Sequence, residues 1–321
     1  MFFLLKKILP QLFISIILND KKSILKASIY KNDKLISSNE KSFSTNEKLL
    51  DYVKNLCKKF LFYNTSLLLD AKEQGLIPSK NEQDFKHFNI GNMSVKYIHF
   101  NNASVYTATE HVEYFNELFE DYKGLDFLYS PFALLYYCVL RQKIDQEKII
   151  LYAYRYKQIV AIIICQNNRI LYGDLKFFEE ELELEFESQE STPTQSDEIT
   201  NNDTEVTLEN FNETLDDKID LLDEDNEVLL NEDNNTNTSL EELNQFSNDM
   251  ELSRYIITSI EKFYNDDKYS GTFINNIYVF NENELSPSAI EFLENETFLE
   301  VKSEQINTLE LMIELMQKEV K

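Results

Sequence analysis

The sequence predicts an α/β fold in which one order of elements is built twice, with a long acidic segment inserted in the second copy. Three observations carry this. Three strand-like runs open the chain and alternating helical and extended patterns follow them. The same order (meander, helix, strand, helix, strand, helix) restarts near residue 148, although the residues themselves do not repeat. The negative charge is also confined. Of 57 acidic and 31 basic residues, 25 acids and a single base, Lys218, lie in 179–250. The other 32 acids and 30 bases nearly cancel, so −24 of the formal charge of −26 lies in that one segment. The expected organisation is a first half over 1–145, with a small insertion at about 70–100, and a second half made of 146–178 and 251–321. Residues 179–250 form a disordered acidic insert, too polar to offset ordering entropy by burial.

In order along the chain, 12–18, 23–30 and 35–43 read as strands parted by polar turns at 19–22 and 31–34. A helix follows, opened by a capping box of Ser44 and Glu47, with Leu49, Leu50, Val53, Leu56, Cys57 and Phe60 on one face. Residues 65–69 form a short buried strand; 71–92 are irregular, with a turn at 75–78; 95–100 and 103–107 are two further strands. A helix over 110–122 turns Val112, Phe115, Leu118, Phe119 and Tyr122 inward and stops at Gly124. After a strand at 125–128, Ser130 and Pro131 take the N-cap and first-turn positions of an apolar helix through Leu140. The second meander is 148–155, 159–165 and 170–177. Beyond the acidic segment, Asn248 and Glu251 cap a helix over 251–264, with Leu252, Tyr255, Ile256, Ile260 and Phe263 on one face. A strand at 277–280, a short helix opened by Ser286 and Pro287, a strand at 298–301 and a helix carrying Ile306, Leu309, Met312, Ile313, Met316 and Val320 complete the second copy.

Several functions are disfavoured. No stripe of Lys and Arg is available to neutralise nucleic-acid phosphates. Cys57, Cys138 and Cys165 are widely spaced in apolar runs, which suits buried reduced thiols better than disulfides or zinc. There is no P-loop, no G-x-S-x-G and no H-E-x-x-H. Phe13–Ile17 (FISII) puts no acid in the middle of the first strand, where ribonuclease-H-type metal chemistry needs one. His87, His99 and His111 fall on a loop, a strand and a helix start, and ordinary surface roles outweigh a metal site. Asp70, at a strand end, could be a lone active-site acid, though turn chemistry explains it equally well; Asp20 and Asp174 are turn or strand-edge acids. No catalytic residue, cofactor site or metal site is therefore expected.

Two segments carry partner hypotheses. The opening MFFLLKKIL combines Phe2, Phe3, Leu4 and Leu5 with Lys6 and Lys7. It either covers a sheet edge or forms a shallow membrane foot at an anionic leaflet. Lys6, Lys7 and Pro10 interrupt the apolar run, so neither a signal peptide nor a membrane span is read there. In the acidic insert, Leu215, Ile219, Leu222, Leu229 and Leu230 could form one face of a transient helix that docks on a basic groove, and 239–246 could form a transient helix likewise.

The order of elements resembles that of the actin-like, ribonuclease-H-like ATPases. Three stretches carry a finer resemblance: SVYTATEHVEYFNELFEDYKGLDFLYSPFALLYYCVL, KIILYAYRYKQIVAIIICQNNRILYGDLKFF and NNIYVFNENELSPSAIEFLENETFLEV. They are similar in order and texture to the type IV pilus assembly protein PilM and the cytoplasmic part of the secretion protein GspL. The likeness spans nearly everything outside 179–250. It implies a duplicated actin-like fold, a place in the cytoplasm at the inner membrane, and a single-span membrane partner, an assembly ATPase, or both. It also implies a departure. Family members hold phosphates and adenosine on glycine-containing turns, where backbone must approach the ligand closely. The corresponding turns here, Leu18 to Lys22, Tyr154 to Gln158 and Val279 to Asn283, contain no glycine. The expectation is a non-enzymatic scaffold of a pilus, secretion or DNA-uptake platform that has lost its nucleotide. A divergent ATPase or sugar-kinase-like enzyme and an acidic regulatory adaptor are the alternatives.

Overall fold

The computed structural model describes residues 8–19, 21–90, 93–122, 124–142, 147–178, 235–269 and 271–320, with side chains from 244 onward in the helix that begins at 235. Residues 1–180 and 243–321 form one compact unit, and the architecture below is that of its described residues. A second unit, 181–242, lies outside them except for the backbone of 235–242.

The first meander is β1 (Gln11–Ile17), β2 (Ser23–Lys31) and β3 (Lys34–Phe43), followed by α1 (Asn46–Cys57) and β4 (Phe62–Leu68). Next come β5 (Gln74–Ile77), a 3-10 turn (Glu82–Lys86), β6 (Val95–Phe100), β7 (Ala103–Ala108), α2 (Thr109–Glu120), β8 (Phe127–Tyr129) and α3 (Pro131–Arg141). The second meander is β9 (Ile149–Tyr156), β10 (Ile159–Gln166) and β11 (Arg169–Phe177). The chain then continues through α4 (Asn235–Asn265), β12 (Asn276–Asn281), α5 (Pro287–Thr297), β13 (Glu300–Gln305) and α6 (Thr308–Glu319).

These strands form two five-stranded sheets of the same topology, β3-β2-β1-β4-β8 and β11-β10-β9-β12-β13, and a small sheet β5-β7-β6. In both large sheets the meander is antiparallel and the two later strands add parallel to its first strand. The period of two sorts their side chains into layers. On β9, Ile150, Tyr152, Tyr154 and Tyr156 face a core shared by both halves, while Ile149, Leu151 and Ala153 face an outer core under α4 and α5. On β1, Phe13 and Ile17 join the shared core, and Leu12, Ile14 and Ile16 pack under α1 and α2.

The last helix of each half covers the other half's sheet. α3 packs on β9 and β10, and α6 packs on β1, β2 and β4. Leu134, Leu135 and Cys138 of α3 and Leu309, Met312 and Met316 of α6 are buried together in that shared core. The small sheet leans on β11, close enough that a Cβ on Gly173 would lie 2.6 Å from Leu76 Cδ2.

Some boundaries differ from expectation. Thr45, not Ser44, caps α1, its hydroxyl accepting from Lys48 N at 3.4 Å. Residues 74–77 are a strand paired with β7 rather than a turn, because Gln74 and Leu76 find partners in register across it. Helix α4 starts at Asn235, so 235–250 are helical and Asn248 and Glu251 are not its cap. Asn248 instead accepts from the buried Arg155: Nη2 donates to its Oδ1 at 2.8 Å and Nη1 to its carbonyl. This holds α4 against the β9–β10 turn. The strand read at 298–301 is β13, beginning at Glu300. Phe298 is the left-handed cap of α5, with φ 57°, and its ring is exposed.

Candidate functional site

The three turns that would form a phosphate and nucleoside cradle are closed on themselves. In the first, Asn19 N donates to Ser23 Oγ at 3.0 Å, and Lys21 N donates to Asn19 Oδ1 at 3.2 Å. Ser23 Oγ is also 2.6 Å from Asn46 Oδ1 at the start of α1. Asp20 lies outside the described residues. In the second turn Lys157 takes a left-handed φ of 49° and its carbonyl accepts from Arg155 Nε, while Phe178 N donates to Gln158 O. In the third, Ile306 N donates to Asn281 O and Gln305 Nε2 to Glu282 O, pinning the loop to the β13–α6 corner. In the first turn the amides of Asn19 and Lys21, which could grip an anion, are therefore engaged within the protein, while the other two turns are pinned through their carbonyls.

Between the turns lies a cleft of about 450 Å³ lined by Ile24, Glu40, Glu282, Asn307 and Leu309 among others, so that both halves contribute to it. Its charge is acidic. Thr308 N, in the first turn of α6, donates to Glu282 Oε1 at 3.5 Å, so the chain's own carboxylate stands where a helix N-terminus favours an anion. Burial pushes the Glu282 carboxyl above the usual range, although the bond to Thr308 and the charge of Lys157 oppose this. Beneath the cleft the row of β9 tyrosines ends. Tyr154 is buried with its hydroxyl 3.0 Å from Thr308 Oγ1. Tyr156 is also buried, and its hydroxyl has no hydrogen-bond partner; the charges it feels are those of Glu282, Asp70 and Glu40. Two of these acids are related by the duplication: Asp70 follows β4 and Glu282 follows β12, the strands parallel to each half's first strand.

A second concavity, of about 210 Å³, is mostly apolar. Leu69, Tyr97, Ile98, Val105, Val112 and Leu128 contribute to it, from the small sheet, α2 and the first large sheet. Strand β6 is the free edge of the small sheet, and Tyr97 and Ile98 on it are exposed.

The other candidates separate. His99 Nδ1 lies 3.0 Å from Ser104 Oγ, and His111 Nε2 lies 2.6 Å from Glu73 Oε2; His87 follows the 3-10 turn. Among the described residues no three His, Cys, Asp or Glu converge as a metal-ligand group. All three thiols are buried, and burial pushes Cys138 up to about 12. Asp174 accepts from Tyr172 OH at 3.0 Å and from Lys262 Nζ at 3.1 Å. Phe2, Phe3, Leu4, Leu5, Lys6 and Lys7 lie outside the described residues, as do Leu215, Ile219, Leu222, Leu229 and Leu230. Among the described residues no helix is long and apolar enough to cross a membrane. Sequence reasoning noted the missing glycines and Asp70 but not the acidic cleft. Glu40 and Glu282 are remote in sequence and meet only through the topology. The one local signal was Tyr152, Tyr154 and Tyr156 alternating along β9.

Residues 151–321, more than half of the chain, match the family described as a domain of unknown function, DUF8341. The chain belongs to that family. Residues 9–136 of this DUF8341 chain match a second domain of unknown function, DUF8569. No curated protein sequence matches it. Among solved structures, it is similar to a Bacteroides thetaiotaomicron protein with an actin-like ATPase fold and unknown function. That likeness has 14% identity and a TM-score of 0.50, over 98% of each chain. It is also similar to the structure of a PilM–PilN type IV pilus biogenesis complex, with 9% identity and a TM-score of 0.51, over 93% of this chain and 89% of that one. These likenesses agree with the two matching sheets: the DUF8341 chain has a duplicated actin-like α/β fold.

Proposed function

We propose that this protein is a non-enzymatic, actin-like scaffold at the cytoplasmic face of an inner membrane, where it holds the short tail of a single-span assembly protein. The observation that carries the non-enzymatic half is Glu282 at the N-terminus of α6. A nucleotide's phosphates would have to displace this resident carboxylate, in a cleft that also holds Glu40, and would meet a first turn whose Asn19 and Lys21 amides are already bonded. Each of these opposes a polyanion. The partner half is supported by the apolar groove beside β6. An extended segment can add to the free edge there through main-chain hydrogen bonds and set alternate side chains against Val105, Val112 and Leu128. The similar fold of a protein solved as a PilM–PilN complex makes a membrane protein's tail the occupant of choice. An assembly ATPase is the second partner this reading admits.

Titration of the full chain with Mg-ATP is expected to show no heat of binding, and micromolar affinity would overturn the non-enzymatic reading. A pull-down from native membranes is expected to recover a single-span membrane protein. Recovery should change little between low and high salt, because the groove is apolar, and should fall on Ile98→Asp. Recovery that is unchanged by Ile98→Asp would move the contact elsewhere, and recovery of neither a single-span protein nor an assembly ATPase would overturn the scaffold reading.

A further inference from the structure

The end of the first sheet at which β1 and β4 begin combines exposed aliphatic side chains with lysines. The register sets Leu35, Tyr30, Gln11 and Phe62 in one row across β3, β2, β1 and β4, with Lys31 opposite Lys34 one step further out. Leu61 comes immediately before that row and Ile8 three residues before it. Ile36 is the extra residue of a β-bulge: Ile29 pairs with Ser37 and Tyr30 with Leu35, so Ile36 has no opposite number on β2. Leu61, Ile8, Ile36 and Leu35 are 70, 60, 57 and 52% exposed. Single exposed apolar residues need no explanation, but four at one end of one sheet mark an interaction surface. Lys58 and Lys59 follow α1 and lead into Leu61 at this same end. With Lys31 and Lys34 they are exposed, and none of the four is in an ion pair among the described residues.

The charge selects the partner. Residues 8–62 hold ten lysines and five acids in a chain of net charge −26, so the first sheet and α1 are its positive part. Asp33, in the β2–β3 turn, is the one acid within 31–36 and 58–61. Glu120 and Asp121 end α2 just before β8, so the basic part of this end is its β3 to β4 side. The end of the second sheet where β12 and β13 begin also exposes rings, those of Phe273 and Phe298. There Lys268 and Lys302 are already paired with Asp266 and Glu300, and Asp267 and Glu296 are exposed. Only the first sheet's end therefore suits an anionic surface. None of its four aliphatic residues lines either of the two cavities described above, so it offers projecting tips rather than a groove for a peptide. Such tips fit a fluid interface, where aliphatic groups enter the acyl boundary and lysine stems carry their ammonium groups up to the headgroups. We propose that this end of the first sheet docks on an anionic membrane leaflet, with Ile8, Leu35, Ile36 and Leu61 in the interface and Lys31, Lys34, Lys58 and Lys59 on lipid phosphates. The proposal rests on the membrane placement proposed above, and makes the folded unit an anchor in its own right beside the partner's tail. Exposed charges beyond about 8 Å are screened at physiological ionic strength, so these local lysines outweigh the chain's net charge.

The test is sedimentation of the full chain with vesicles of phosphatidylcholine, alone or with about one-third phosphatidylglycerol, at about 0.15 M salt. The chain is expected to sediment with the anionic vesicles and not with the neutral ones. Each lysine at an anionic surface is worth about fivefold in partitioning, so Lys58→Gln with Lys59→Gln should weaken binding by roughly tenfold or more. Leu61→Ser with Ile36→Ser should weaken it by about as much, through the lost apolar insertion. All four residues are exposed, so both double variants should keep the parent's melting midpoint. Phe298→Ser, at the second sheet's end, should bind like the parent. Sedimentation with neither vesicle type, or equally with both, overturns the proposal. So does parent-like binding by the two double variants, which would place the lipid contact elsewhere in the chain, or an equal loss in Phe298→Ser. A change of oligomeric state in Leu61→Ser with Ile36→Ser in the absence of vesicles would make the patch a contact between copies, and would overturn it too. The pull-down reads tail capture separately: loss of vesicle binding with capture intact removes this surface alone, and loss of capture with vesicle binding intact removes the scaffold reading.

Discussion

In the first large sheet the outer strand β3 is exposed at every position but Phe43, whereas its counterpart β11 buries Ile170, Tyr172 and Gly173; likewise β2 is fully buried only at Ser23, Leu25 and Ser28, whereas its counterpart β10 is buried everywhere except Gln166. The two sheets have the same strand order, so topology does not explain the contrast. Cover does. The second sheet has α4 and α5 on one face, and α3 with the small sheet on the other. The first has α1 and α2 on one face, but on its inner face α6 reaches only β1, β2 and β4. The sequence follows the cover: IVAIIIC on β10 is a continuous apolar run of the kind expected between two layers, and KLISSNEKS on β3 is polar. Duplication thus repeated the path of the chain, while the side chains diverged according to what lies above each strand.

The largest effect this comparison predicts concerns the exchanged helices. If α3 and α6 each complete the other half's core, a protease cut within 181–234 leaves two fragments that co-elute without denaturant. Leu309, Met312 and Met316 would have to leave the shared core for the pieces to part. Separation of the fragments would mean two independent domains. Next in size is the contrast between the sheets. Ile163→Ala, in the shared core, is expected to cost about 2–5 kcal/mol by urea unfolding. Leu35→Ala on exposed β3 should stay within about 0.5 kcal/mol. Similar costs at both positions would show that β3 is covered in solution. A smaller effect tests the lean of the small sheet. Gly173→Ala places a methyl 2.6 Å from Leu76 Cδ2 and 2.7 Å from its Cβ, and overpacking of this kind costs about 1–3 kcal/mol. Leu76→Ala in the same chain should recover part of that loss, and strict additivity would break the contact.

The layered fold was legible because burial here is periodic. Alternating or continuous apolar runs marked both meanders, and i, i+3, i+4 spacing marked the helices at Leu49–Cys57, Leu252–Phe263 and Leu309–Met316. Starts and stops were less legible, since several residues compete for each cap. Ser44 and Thr45 are both good caps, and only the approach of Lys48 N decides between them. The first turns of helix α4 were legible only as a transient helix over 239–246, because Leu240, Leu243 and Phe246 are the sole apolar residues in NTNTSLEELNQFSND and mark too narrow a face to announce a continuous helix. The strand at Gln74–Ile77 hid behind Gly75 and Pro78, read as a turn. Gly75 is instead a strand position at which a Cβ would strike the Tyr106 ring. The cleft was legible only in the negative, as missing glycines. Its acids, Glu40 and Glu282, come from β3 and from the end of β12, a proximity that no local pattern encodes.

The smallest predicted effect sets the two halves against each other at their matching corners. Asp70 after β4 is exposed, whereas Glu282 after β12 is partly buried at the start of α6, and burial raises the pKa of Glu282. A carboxyl whose pKa is higher in the folded chain than in the unfolded one binds its proton more tightly when folded. Its contribution to stability is present below the unfolded value, about 4.3 for Glu, and is lost as pH rises through the raised folded value. At pH 7 the charged group therefore detracts from stability. Glu282→Gln keeps the size and an oxygen able to accept from Thr308 N, but carries no charge to desolvate. The variant is expected to melt above the parent at pH 7, and the gap should close as pH falls toward about 4. If Glu282→Gln instead lowered the midpoint at pH 7, the anion at the α6 N-terminus would outweigh its burial cost. The cleft would then favour negative charge after all, and the first half's corner would be the odd one.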